Sequence, residues 1–260
     1  MHKRYIPLTL GLLLALTACG PKAPQVTPTP EPAPVVTPSP TPSPAPELQW
    51  TDQVFEQSFP ADDGTTVMTV RYVFPDIIGA AANEAWDKIH TYYANEGAAY
   101  LTSATENADL ALDDYHIAQA SGYDFIPYAD EFSYKITRQT GELASIKRNY
   151  YSNMGGAYPV SYQFCETFDL STGDKLGLDG LLATGWRETV LDLLAAQADA
   201  AQLGLDAETL AGAFDPSCFY LTQDALVVYF QEGVLGGHGL GLVELPIPLS
   251  DLSGLLLWSV

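Results

Sequence analysis

The chain has 260 residues with 32 acidic against 11 basic side chains, a formal charge of −21, and three cysteines. So large an acidic excess repels phosphate backbones and anionic lipid, which excludes a nucleic-acid binder and favours cationic partners. About 210 residues remain for folding after an unusual N-terminus, enough for a core that needs neither metal nor disulfide to hold it.

Residues 1–18 carry a basic cluster, His2-Lys3-Arg4, followed by an apolar run from Ile6 to Leu16. The run is too short for a permanent span and ends in small residues, as an export signal does. The sequence Leu16-Thr17-Ala18-Cys19-Gly20 resembles the bacterial lipoprotein box, which implies cleavage before Cys19 and acylation of its thiol. A lipidated Cys19 would place the protein on the extracytoplasmic face of a cell membrane. Residues 19–47 continue as a Pro/Thr/Ser/Ala tract with proline at nearly every second position. Such a tract favours polyproline II, with a reach of roughly 80 Å at about 3.1 Å per residue, and serves as a semi-rigid stalk.

The folded part is expected from residue 48, as a smaller α+β domain over 48–128 and a second α+β domain over 129–260. Val54 to Phe59 and Thr66 to Phe74 flank Asp63-Gly64 and predict a β-hairpin. From about Gly79 the period changes, and Ala82, Ala85, Trp86, Ile89, Tyr92 and Tyr93 form a helical face. That helix is expected to end near Gly97, with a second helical piece between Tyr100 and Ala120.

Alternation resumes at Phe132, Tyr134 and Ile136, turns at Thr140-Gly141, and continues through Ala144, Ile146, Arg148 and Tyr150. From Tyr158 the apolar residues Val160, Tyr162, Phe164 and Phe168 alternate with Ser161, Gln163, Cys165, Thr167 and Asp169, the pattern of a strand with one buried face. Trp186, Val190, Leu193 and Leu194 predict a further amphipathic helix, and Asp206 to Ala213 a short one. Phe219 to Phe230 reads as a hairpin turning at Gln223-Asp224. The Gly-rich run from Gly233 to Gly241 then crosses to an edge strand, Val243 to Leu249, whose Pro246 and Pro248 a central strand would not tolerate. Strands and helices mixed without a strict βαβ repeat predict an α+β fold with a largely antiparallel sheet and helices packed on one face.

No GxSxG, HExxH or phosphate-loop pattern is present, and alternating oxygen ligands for calcium are missing, so no catalytic residue, metal or cofactor is expected. His90 and His116 fall in helical stretches. Gly155, Gly156 and Tyr158 in one loop, and Gly237 and His238 in another, are the candidate ligand-binding residues, because flanking glycines allow close backbone approach. Cys165 and Cys218 are the disulfide candidates of an exported chain.

Several segments resemble an extracellular domain family, formally of unknown function, found in the outer half of the lysozyme-sensing anti-sigma factor RsiV and beside some bacterial cell-wall polysaccharide deacetylases. They are Tyr151 with Gly155-Gly156-Ala157-Tyr158-Pro159, Phe168-Asp169-Leu170 with Thr172-Gly173-Asp174, Leu226-Val227-Val228-Tyr229-Phe230, and Val243-Glu244-Leu245-Pro246. Residues 65 to 120 resemble, more weakly, the smaller domain that usually precedes it. The chain departs from the family at Tyr158, where a histidine is usual, and at Gly233 to His238. The resemblance implies a tethered module that binds or senses a cell-envelope ligand, with lysozyme or peptidoglycan as candidates. The alternative it leaves open is an accessory domain or enzyme of cell-wall polysaccharide modification.

Overall fold

A computed structural model describes residues 48–236 and 238–259, with the backbone alone at His238. The expected export signal, Cys19, the proline tract and Gly237 lie outside the described residues. The hairpin is formed by β1 (Trp50–Pro60) and β2 (Thr66–Ile77), antiparallel, and Asp63 Oδ1 accepts a hydrogen bond from Thr65 N (2.9 Å) across its turn. On β2 the side chains of Met68, Val70, Tyr72 and Phe74 alternate onto one buried face.

Helix α1 (Glu84–Ser121) covers that face. It begins where Asn83 Oδ1 accepts from Ala85 N and Trp86 N, and it stops at Gly122, whose φ of 73° closes the last turn. The expected break at Gly97 does not occur, and one helix of 38 residues replaces the two expected pieces. Gly97 instead lets the helix approach β1, since a Cβ there would lie 2.2 Å from the Phe55 ring. Beyond it Ala104, Ala108, Ala111 and Ala118 give the helix a smooth buried stripe at three-, four- and seven-residue spacing.

The chain returns as β3 (Tyr128–Gln139), parallel to β2, then β4 (Leu143–Asn153) and β5 (Val160–Asp169), both antiparallel, in the sheet order β1-β2-β3-β4-β5. The boundary expected between residues 128 and 129 falls on the first residues of β3, within a sheet that takes strands from both sides of it. Apart from β2 and β3, every neighbouring pair is antiparallel.

After β5 come one turn of helix, α2 (Leu178–Leu181), then α3 (Trp186–Ala200) and α4 (Ala207–Ala213), the last capped by Asp206. A second sheet follows, β6 (Phe219–Leu221), β7 (Ala225–Phe230) and β8 (Val243–Pro248), with β8 and its prolines at the edge as expected. One face of this sheet packs on α3 through residues such as Val228, Leu245 and Ile247, in a core that also holds Val190 and Leu194. It is joined to the larger sheet by polar stitches: Leu221 N donates to Ser145 Oγ (2.9 Å), and Arg138 Nη1 donates to the carbonyls of Thr222 and Gln223 (2.7 Å each). The α+β class with a largely antiparallel sheet is what the pattern predicted.

One-sided burial on β5 is not observed. Tyr158 is 87% exposed, and Val160 and Tyr162 are also open, whereas Gln163, Glu166, Thr167 and Phe168 are buried on both faces. The second half of the strand lies between α1 and the second sheet.

Candidate functional site

The loop from β4 to β5 rises at one end of the larger sheet. Gly155 has φ 72° and passes so close to Tyr128 that a Cβ would sit 2.8 Å from its ring, so both its conformation and its space exclude a side chain. Gly156 has open surroundings. The second loop, between β7 and β8, is anchored by buried Leu235. Gln231 ties the roots of the two loops together, its Nε2 donating to Gln163 O (2.6 Å) and its Oε1 accepting from Gln163 N (3.2 Å). Between those roots lies a hollow of about 350 Å³, lined among others by Tyr150, Tyr151, Tyr162, Gln163, Gln231 and Leu242.

The roots of the two candidate loops meet at this hollow, but Gly155, Gly156 and Tyr158 are not among its lining residues, and Gly237 and the His238 side chain lie outside the described residues. Tyr151, Tyr162 and Leu242 of its lining stand exposed, as do Tyr158 and Val160 of the first loop and its strand and Val234 and Leu240 of the second loop. The rings of Tyr150 and Tyr162 stack at 6.5 Å, 11° from parallel, and extend an aromatic surface into the hollow.

A second hollow, about 460 Å³, adjoins the first across Gln163 and Gln231 and follows the free edge of β5. At its inner wall Arg148, 2% exposed, donates through Nε to Glu166 Oε2 (3.1 Å) and through Nη2 to Glu166 Oε1, and both terminal nitrogens lie 3.4 Å from Glu96 Oε2. Tyr92 and Tyr93 donate their hydroxyls to the two oxygens of Glu166 (3.2 Å each). Four rings, Phe74, Tyr93, Phe132 and Phe164, surround the guanidinium carbon at 5.3 to 5.6 Å. Burial works against the charge on Arg148, but the Glu166 carboxylate more than offsets it and holds the guanidinium above its ordinary value.

Both carboxylates are thus bound to a single cation. Lys175 rests over the Tyr92 ring and donates to its hydroxyl (3.3 Å) at the rim.

Cys165 and Cys218, expected as disulfide candidates, are free thiols lining this hollow. Burial raises both above the ordinary thiol range, and the Tyr229 hydroxyl bonds to each. The thiols are thus held as hydrogen-bonded partners of a buried phenol on the inter-sheet face. His90 pairs with Asp76 (2.7 Å), and Asp114 accepts from the Tyr128 hydroxyl (2.6 Å). No group of His, Cys, Asp and Glu suited to a metal occurs among the described residues.

Arg148, Glu166 and Glu96 were not among the expected site residues. The available signal was a charge on the apolar phase of each of two strands, Arg148 after Ile146 and Glu166 after Phe164. Two opposite charges on buried faces of adjacent strands predict a pair.

Residues 62–161 match the family model described as Deacetylase PdaC. The match runs from the β1–β2 turn through α1 to the start of β5, so it includes the region of the weaker resemblance. Two solved structures are similar in fold. One is a member of the DUF3298 family from Bacteroides fragilis, with TM-score 0.64 and 17% identity, covering 80% of this chain and 93% of that one. The other is a DUF3298 family protein from Pseudomonas aeruginosa, with TM-score 0.55 and 18% identity, covering 81% and 95%. No curated protein matches the chain.

Proposed function

We propose that the protein is a membrane-tethered extracytoplasmic lipoprotein whose folded part binds a cell-envelope ligand through the loop end of the larger sheet. The observation that carries this reading is the set of exposed aromatic and aliphatic residues on the two loops and their roots, with Tyr151, Tyr162 and Leu242 lining the hollow and Tyr158 87% exposed on the first loop. Exposed apolar side chains gathered on one end of a sheet suit an interaction site, and tyrosine is enriched among the residues that dominate binding energy. The acidic excess supports a cationic protein such as lysozyme as partner, and open tyrosine faces also suit the sugar rings of peptidoglycan.

Calorimetry of the full chain with lysozyme and with soluble peptidoglycan fragments tests the reading. Binding of one of them, weakened at least about tenfold by Tyr158→Ala with Tyr162→Ala, is the expected result, as for a residue contributing more than about 1.4 kcal/mol. Absence of binding to both at low salt would overturn it. For the anchor, labelled palmitate entering the wild type and not Cys19→Ala is expected.

The name of the matching family model favours a second reading, an accessory part in cell-wall polysaccharide deacetylation. That reading requires acetate release from peptidoglycan to rise when the protein is present.

A further inference from the structure

Along the free edge of an antiparallel sheet the N–H and C=O of every second residue point outward together. On β5 these residues are Gln163, Cys165, Thr167 and Asp169. The chain itself closes most of that edge. At Gln163 the Gln231 side-chain amide makes the donor-and-acceptor pair that a neighbouring strand would make. Further on, Leu176 N donates to Thr167 O (2.7 Å) and Asp169 N donates to Asp174 O (3.0 Å).

Between these two closures lies Cys165, whose backbone N–H and C=O face the 460 Å³ hollow and have no partner among the described residues. A second group points to the same missing partner. Gln163 is 2% exposed and lines the hollow, and its side-chain Nε2 has no hydrogen bond. Buried donors without partners are costly, and a ligand that supplied acceptors would remove that cost.

We propose that this unpaired rung of β5 is a binding site for a secondary amide. The ligand carbonyl accepts from Cys165 N–H, the ligand N–H donates to Cys165 C=O, and a further ligand oxygen accepts from Gln163 Nε2. Pairing with a sheet edge is a known mode of peptide recognition, but here the closures at Gln163 and Thr167 leave room for one rung. The ligand therefore contributes a single amide, not a strand. An acetamido group on a sugar and a peptide bond in a short peptide present the same pair of atoms. Tyr92 and Phe164 supply apolar walls, and the hollow is of the size usual for small-ligand sites. The site adjoins the loop hollow across Gln163 and Gln231 but does not include Tyr158 or Tyr162, and the inference goes beyond the function proposed for that surface.

The test follows the Cys165 amide of the full chain by nitrogen-15 NMR with three probes: a trimer of N-acetylglucosamine, the same trimer without acetyl groups, and trialanine. Slowed hydrogen exchange at Cys165 with the acetylated trimer assigns the amide to a glycan, and with trialanine to a peptide. Either supports the site. Gln163→Leu is expected to weaken the effective probe by about tenfold, as loss of one hydrogen bond does, and the near-isosteric Gln163→Glu covers the case in which the leucine variant fails to fold. A Cys165 amide unmoved by all three probes, or moved equally by the trimer lacking acetyl groups, overturns the proposal. Tyr158→Ala is expected to leave these readings unchanged, so failure of the loop surface and failure of this site are seen apart.

Discussion

Arg148 shows how one residue can decide whether a buried surface is stable. A guanidinium with 2% exposure is tolerable because Glu166 and Glu96 accept its hydrogen bonds and four rings enclose it. Removing one partner of such a pair strands the other. Arg148→Met is therefore expected to lower unfolding free energy by about 3–5 kcal/mol, and adding Glu166→Leu to restore much of that loss, measured by urea denaturation. A double variant no more stable than the single one would show that the pair is not the source. Asp63 is one source of acid sensitivity. The Tyr115 hydroxyl, and after it the Thr65 amide, lower its pKa from 3.8 to about 2. A carboxyl depressed in the folded state adds stability above its unfolded pKa, and that stability is lost as pH falls through the folded one. The urea midpoint of Asp63→Asn should lie below that of the wild type at neutral pH, and the gap should narrow below pH 3.8 and close near pH 2. These residues were partly legible: Asp63 was read in its turn, and a charge on the apolar phase of each of two adjacent strands was an available but unread signal for Arg148 and Glu166. The Glu96 contact was not legible, because it depends on a helix crossing two strands far away in the chain.

Among the elements, α1 shows why a glycine cannot be read from local propensity alone. Glycine costs about 1 kcal/mol in a helix interior and is common just past helix ends, which favoured a stop at Gly97. The structure uses the missing side chain for close packing on Phe55, a contact formed by residues 42 positions apart and invisible to periodicity. Gly97→Ala thus trades a propensity gain for a clash. The clash is expected to win, with a loss of about 1–3 kcal/mol, because the Phe55 ring must leave its edge-on contact with Phe74. In a Phe55→Ala background the same change should become neutral or stabilising by up to about 1 kcal/mol. Thermal or urea unfolding of the four proteins gives the coupling directly, and additive effects would refute the packing explanation. Periodicity placed the first hairpin, α3, α4 and the edge strand β8 through a single buried face or a proline constraint, and the second hairpin, buried on both faces, through its apolar runs on either side of the Gln223-Asp224 turn. It placed β5 as a strand but misread its burial, because both faces of that strand are covered over its second half and neither over its first.

At the scale of the molecule, the placement of the two expected α+β domains turns on β2 and β3. Composition gave the acidic charge and the separate N-terminal tract, but the parallel pairing of Met68 to Tyr72 with Tyr128 to Phe132 joins residues on both sides of the expected boundary and had no local signal. The same joining runs through side chains: Arg148 from the second part meets Glu96 and Tyr93 from the first, and Phe132 packs on Tyr72 and Phe74. A fragment beginning at residue 129 would expose that aromatic face and the edge of β3, so it should not fold alone. The intact chain should then unfold in one cooperative step. Its four tryptophans divide evenly as reporters, with Trp50 and Trp86 in the first part and Trp186 and Trp258 in the second. Replacing one pair with phenylalanine leaves fluorescence that follows the other part. The two reporter proteins, each compared with its own far-ultraviolet circular dichroism, should give coincident urea transitions. Separate midpoints within either protein would instead establish two domains that unfold independently, and the shared sheet would then have to part between β2 and β3 before the rest of the fold is lost.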